Sequence, residues 1–246
     1  MNVVAIVQAR MGSSRLPGKV LLSLHGEPML ARVINRLRRA AQVDSVLVAT
    51  TTAPGDDPIV EWCHAARCAC FRGSEENVLE RYVLAARGAK ADAIVRVTSD
   101  CPLIDPGVVD EVVGHFLAGQ PGLDYVCNFY PLRTYPRGLD AEVFQRTALE
   151  RVFRDATDQV SREHVTAYFY HHPEQFHLGA WKTGEDQSHH RWTVDTPEDF
   201  ALIEDIYVHF GHDHFTWREA LAVVEAHPQW SARNQHIEQK PLIAPR

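Results

Sequence analysis

The stretch VVAIVQARMGSSRLPGKVL, residues 3–21, sets the architecture of the chain. Its opening run, VVAIVQ (3–8), is almost continuously apolar, the pattern of a strand covered on both faces. A turn follows at once that gathers Arg10, Arg15 and Lys19 around Gly12 and Gly18. Sheets of α/β proteins bind ligands beyond the carboxyl ends of their strands, so a basic, flexible turn there reads as a phosphate site. Backbone N–H groups, the small residues Gly12, Ser13 and Ser14, and the three cations can wrap a polyphosphate. Arginine supplies planar two-point contacts and lysine a mobile point charge. The competing reading, an exposed turn with solvated charges, gives no reason for cations and glycines to collect at one strand end.

Outward from this stretch the same alternation continues. SVLVATT (45–51) and AIVRVT (93–98) repeat the buried-strand pattern. Between them, PMLARVINRLRRA places Leu30, Val33, Ile34 and Leu37 at helical spacing, with Pro28 suited to a first turn. NVLERYVLAARGA does the same with Val78, Leu79, Tyr82, Val83 and Ala86, and DPGVVDEVVGHFLAG opens with Asp105 as N-cap and Pro106 at N1. This order predicts one α/β domain over residues 1–246, with a doubly wound, mostly parallel sheet. The alternation weakens over 124–190, which reads as an inserted α+β segment that covers the pocket, mediates dimer contacts, or does both. Within it LDAEVF is expected as a strand, SREHVTAYFYHH as a helix, and a strand pair thereafter. RWTV (191–194) is expected to return to the sheet, and TPEDFALIEDIYVHF to form a helix with Thr196 as N-cap, Pro197 at N1 and Asp199 at N3.

Composition narrows the function. With 246 residues, 45% hydrophobic and 23% charged, the chain can bury a real core. A net charge of −7 argues against nucleic acid as a partner, since a polyanion needs a basic face. The N-terminus lacks a basic n-region and its apolar run breaks at Gln8 and Arg10, so neither a signal peptide nor a membrane partner is expected and a cytoplasmic location is. The five cysteines then read as reduced thiols. Cys63, Cys68 and Cys70 with His64 contain no C-x-x-C pair and read as packed thiols rather than a zinc site. His209, His212 and His214 lack a clear fourth ligand and read as surface residues.

The first loop is not a Walker motif. The spacing from Gly12 to Lys19 is one residue too long, and Val20 stands where a hydroxyl residue holds Mg²⁺. Carboxylates elsewhere must then hold any metal. Asp100 closes RVTSD after the third strand, and Asp195 closes RWTVD before a helix. A sheet edge can gather both, and Mg²⁺ takes a couple of carboxylates with phosphate oxygens and water. Turn formation by Asp100 and helix capping by Asp195 are the plainer alternatives.

Taken together, these segments resemble the cytidylyltransferases that activate sialic acid and KDO. The A-R-x-x-S-x-R-x-P-x-K pattern of those enzymes is matched by Ala9, Arg10, Ser13, Arg15, Pro17 and Lys19. Their D-x-P-L is matched by Asp100, Pro102 and Leu103, and their V-D-T-P-E-D by Val194–Asp199. RGSEENVLERY, RVTSDCPLIDP, YPRGLDAEVF, REHVT and NQHIEQK are most similar to the subgroup of spore coat polysaccharide biosynthesis proteins of the SpsF type. The resemblance implies a Rossmann-like, GT-A-like nucleotidyltransferase. It implies that Ala9, Arg10, Gly12, Ser13, Arg15 and Lys19 bind the CTP triphosphate, and that Asp100 and Asp195 hold Mg²⁺. By the same likeness Arg72 to Asn77, including Ser74, approaches the base, with Asn77 standing where the family has an acidic residue. Tyr135, Arg137, Asp140 and Glu142 fall at its acceptor-sugar pocket, and Asp140 and Glu142 would share one strand face.

The implied chemistry is attack of a hydroxyl of an acidic sugar on the α-phosphorus of CTP, giving a CMP-sugar and pyrophosphate. Lys19, Arg10, Asp100 and Asp195 are the catalytic set, with no side-chain general base, and a homodimer is expected. Three other readings stand beside it. One is transfer from another nucleotide. Another is a glycosyltransferase, although the chain has no D-x-D tripeptide. The third is a non-catalytic nucleotide-binding protein, which has no reason to keep all four of these residues.

Overall fold

The computed structural model describes residues 1–239. Lys240, the last residue of NQHIEQK, lies outside them. Strand β1 (Val3–Gln8) is followed by a two-strand turn, β2 (Ser23–Leu24) with β3 (Glu27–Pro28), and helix α1 (Met29–Leu37). Then come β4 (Ser45–Thr51), α2 (Asp57–Ala65), β5 (Ala69–Gly73), α3 (Val78–Gly88), β6 (Ala93–Thr98) and α4 (Pro106–Ala118). The later half holds β7 (Tyr125–Cys127), β8 (Glu142–Gln145), α5 (Arg146–Asp155), α6 (Gln159–His164), α7 (Ala167–His171), β9 (Leu178–Ala180), α8 (Pro197–Phe210), α9 (Trp217–Ala226) and α10 (Pro228–Ser231).

The sheet has seven strands in the order β5-β4-β1-β6-β8-β7-β9. All neighbours pair in parallel except β8, which runs antiparallel to β6 and β7. Chain order turns back at β1, because β4 lies on one side and β6 on the other. The loops leaving β1 and β6 therefore diverge from neighbouring strand ends, the switch-point position at which open α/β sheets have their ligand crevice. Alternation along β1 explains the two-sided core: Val3, Ala5 and Val7 face one apolar cluster, and Val4 and Ile6 the other. A third cluster, built on Trp192, Tyr207 and Trp217, secures α8 and α9 beside the crevice. Arg36 of α1 is fully buried and donates to the carbonyls of Ile104, Asp213 and Phe215, tying the loop after β6 to the α8–α9 connection. No helix among the described residues is long and apolar enough to cross a membrane.

Several local expectations hold. Asp105 caps α4 with Pro106 in the first turn, and Thr196 with Asp199 forms a capping box on α8. Others are corrected. The helix expected over SREHVTAYFYHH breaks at Val165, whose φ of 57° ends α6 before α7 begins. Among the described residues one strand, β9, follows it in place of the expected pair. RWTV does not rejoin the sheet: its one ladder contact is a bridge between Arg191 and Arg137. Its backbone binds the loop after β6 instead, with Val194 N–H donating to Asp100 O at 2.8 Å. Strand β8 starts late because the Asn128 side chain takes the main-chain groups of Leu139 and Ala141. Gly138, at φ 108°, lets this turn press on residue 192; a Cβ there would lie 2.6 Å from the Trp192 carbonyl carbon. Residues 124–190 contribute β7, β8 and β9 to the main sheet.

Candidate active site

The loop after β1 is a closed turn. Ala9, buried, continues the ladder by donating to Ala49 O at 3.2 Å. Met11 O accepts from both Ser13 N–H and Gly18 N–H at 3.0 Å, and Gly18 closes the loop in a left-handed conformation at φ 70°. Asp56, buried, accepts from Met11 N–H at 2.7 Å and from the Thr51 hydroxyl, so β4 braces the turn. Arg10 and Gly12 are left exposed, and a Cβ on Gly12 would meet nothing within 4 Å. This is open backbone beside an exposed cation, as a phosphate site requires.

Lys19 leaves the far end of that turn and reaches the crevice. Its Nζ donates to Val194 O at 2.6 Å, Asp195 Oδ1 at 2.9 Å and Asp100 Oδ2 at 3.3 Å. Arg15 adds a contact to Asp195 Oδ2 at 2.9 Å. The two aspartates named from strand ends thus meet at one ammonium, although 95 positions separate them in sequence numbering. Burial pulls the Lys19 pKa down, but the charges of Asp100 and Asp195 outweigh it and raise it above its ordinary value. Burial pushes Asp195 up, but Lys19, Arg15 and Arg191 outweigh that and hold its carboxyl below the ordinary value. Thr98 Oγ1 donates to Asp100 Oδ1 at 2.5 Å and fixes the other carboxylate.

Both carboxylates are hard oxygen donors at one sheet edge, which fits Mg²⁺ bound by one or two carboxylates and completed by substrate phosphate. Among the described residues no group of three or more His, Cys, Asp or Glu side chains could hold a metal by itself.

Sequence reasoning missed the frame behind Asp195. Arg191, buried, grips Asp199 through Nε (2.8 Å) and Nη2 (3.0 Å), and its Nη2 also donates to Asp195 Oδ2 at 3.0 Å. Asp199 was legible as a helix cap, but its ion pair was not. The RWTVD spacing was the available signal, since Arg191 and Asp195 stand four apart.

The segment Arg72–Asn77, expected near the base, braces itself. Arg72 donates to Thr51 O and Ala53 O and pairs with Asp57 at 2.8 Å. Ser74 Oγ accepts from Asn77 N–H, and the Asn77 side chain caps α3 by accepting from Glu80 N–H. An amide serves that cap as well as a carboxylate.

The four residues expected at the acceptor pocket part company. Tyr135 is buried, and its hydroxyl donates to Glu111 Oε2 at 3.0 Å. Asp140 is held by a two-point contact from Arg133. Glu142 lies under the sheet edge at 2% exposure, with its carboxylate engaged by Arg96 and by the Tyr125 hydroxyl at 2.7 Å. It does not share Asp140's surroundings, because Asp140 precedes the strand. Arg137 alone has no side-chain partner among the described residues; burial and then Arg133 lower its pKa, with Asp140 acting in the opposite sense.

The sequence profile of the family described as Cytidylyltransferase matches residues 4–228. The uncharacterized protein MJ1063 of Methanocaldococcus jannaschii is 35% identical over 98% of this chain and 97% of its own. The spore coat polysaccharide biosynthesis protein SpsF of Bacillus subtilis is 34% identical over 85% of this chain and 88% of its own. A solved cytidylyltransferase from Leptospira borgpetersenii serovar Hardjo-bovis superposes with a TM-score of 0.92 at 33% identity, covering 97% of this chain and all of that one.

Proposed function

The chain belongs to the cytidylyltransferase family, and we propose that it transfers CMP from CTP to a hydroxyl of an acidic sugar of the KDO or nonulosonic type, for a surface polysaccharide. The observation that carries this reading is the meeting of Lys19, Asp100 and Asp195 beside the open Arg10–Gly12 turn. In the reaction the sugar oxygen bonds to the α-phosphorus, the bond from that phosphorus to the α–β bridging oxygen breaks, and the hydroxyl proton passes to solvent. Two anions must approach, so neutralising charge is the main task. Arg10, Arg15 and Lys19 receive the triphosphate and stabilise the leaving pyrophosphate, while the Gly12–Ser14 backbone lies against it. Asp100 and Asp195 would hold Mg²⁺, which supplies Lewis-acid polarisation of the phosphoryl group.

Arg137 is the cation we assign to the sugar's carboxylate, because Arg133 and Arg191 already have carboxylate partners. Tyr135 and Asp140 support that wall, and Glu142 anchors it from beneath. Residues 124–190 are assigned to covering the acceptor and, through exposed Leu132, to contact with a second copy; a monomer by light scattering at high concentration removes the dimer from this proposal. The test of function is pyrophosphate release with CTP and Mg²⁺ across a panel of 3-deoxy-2-keto sugar acids, repeated with ATP, GTP and UTP. Release with CTP and one such acid supports the reading. Release only with another nucleotide, or only with neutral sugars, overturns it.

A further inference from the structure

The stretch Trp230–Gln239 has no place in the reaction described above, yet it sends one buried amide into the frame behind the crevice. Short turns from Ser231 to Asn234 and from Asn234 to Ile237 present the Asn234 side chain inward at 2% exposure. Its Nδ2 donates to Asp199 Oδ1 at 2.9 Å and to Arg191 O at 2.8 Å. One amide therefore ties together the carboxylate and the main chain of the pair that grips Asp195. Five donors then converge on the fully buried Asp199: Arg191 Nε and Nη2, Asn234 Nδ2, and the backbone N–H groups of Asp195 and Thr196. Gln239 closes the set from the surface, its Oε1 accepting from Arg191 Nη1 at 2.7 Å. Each of the three guanidinium nitrogens of Arg191 thereby has a partner, which sets the direction of its contact to Asp195 Oδ2.

A carboxylate buried this deeply needs each of its donors, since an unmet oxygen in a low-dielectric site is expensive. Without Asn234, Asp199 Oδ1 keeps one donor and Arg191 O loses its side-chain partner. The relaxation open to the frame is rotation of the guanidinium, which moves Asp195. We propose that Asn234, acting through Arg191 and Asp199, is a positioning residue that sets the Asp195 carboxylate for the transfer reaction. The proposal rests on the reading of Asp195 as a carboxylate that holds the nucleotide's divalent cation.

The experiment uses the full chain saturated with CTP and follows Mn²⁺ binding by electron paramagnetic resonance, with no acceptor sugar. Asn234→Ala, Gln239→Ala and Asp195→Asn are compared, each well below its own melting temperature. The expected result is Mn²⁺ affinity roughly ten- to hundredfold weaker in Asn234→Ala, as for other residues that orient a metal's ligands. A smaller loss is expected in Gln239→Ala, an exposed position whose replacement keeps the fold and carries the test if Asn234→Ala does not fold. Wild-type Mn²⁺ affinity in the folded variants, beside a weakened Asp195→Asn, overturns the positioning role alone. Wild-type affinity in Asp195→Asn overturns the reading beneath it.

Discussion

Lys19 Nζ stands 2.9 Å from Asp195 Oδ1, joining the first turn of the chain to a carboxylate 176 residues later. On the proposed reading the contact sits where a triphosphate and its cation enter. Lys19 can exchange Asp195 for phosphate oxygen without leaving the crevice, because Val194 O still holds its ammonium at 2.6 Å. Lys19→Ala removes a charge-assisted hydrogen bond worth about 1.5–3 kcal/mol. CTP affinity should fall roughly ten- to hundredfold. Calorimetry on the folded variant measures it, and an unchanged affinity places the triphosphate elsewhere.

Glu142 is the residue for which structure and resemblance ask different questions. Its two oxygens are engaged by Arg96 and Tyr125 under the sheet. Glu142→Gln keeps the shape but leaves Arg96, whose side chain is only 13% exposed, without its countercharge, a loss of up to about 3–5 kcal/mol. Urea unfolding should show that loss directly. A change within about 0.5 kcal/mol, the range of surface substitutions, would mean that the carboxylate is not committed to the core.

The fold was legible where a pattern is local. Val3–Gln8 reads as a buried strand from its composition alone, and Thr196 with Asp199 reads as a helix start from three residues of spacing. Asp100 and Asp195 were legible as a pair because both sit at element ends, and topology brings such ends together. Non-local partners were not legible. Nothing in EVF reveals that Glu142 faces Arg96, and nothing in RWTV reveals that its backbone bonds to the loop after β6 rather than to a strand. Asn234 belongs with these: a polar residue in a polar stretch shows its role only when Asp199 is seen beside it.

The opposed charges at the crevice also set a pH dependence. The folded-state pKa of Asp195 lies below its unfolded value, so its contribution to stability is present above the unfolded value, about 3.9, and is lost as pH falls through the folded one. Lys19 is raised, so its contribution is present below about 10.4 and is lost as pH rises through the folded value. Asp195→Asn should therefore flatten part of the acid fall in urea midpoint that sets in as pH drops below about 4. An acid limb identical to wild type would show that Asp195 is not held in its charged form by the fold.

The strongest test concerns the two aspartates as one unit. Asp100 and Asp195 approach Lys19 from different elements, the loop after β6 and the start of α8, and share its ammonium at 3.3 and 2.9 Å. Asp→Asn keeps size and most hydrogen bonding but removes the charge that a divalent cation needs. Each single variant should still melt cooperatively, Asp195→Asn at a lower midpoint, and lose CMP-sugar formation by about two orders of magnitude or more, the scale of losing a metal-mediated stabilisation. Residues that serve one centre act non-additively, so Asp100→Asn with Asp195→Asn together should be little worse than either alone. The measurement is initial pyrophosphate release at saturating CTP and Mg²⁺ with the acceptor found in the panel. Near-normal turnover in either single variant removes that residue from the centre. Losses that multiply would show two independent sites, and the shared position around Lys19 would then be a structural ion pair.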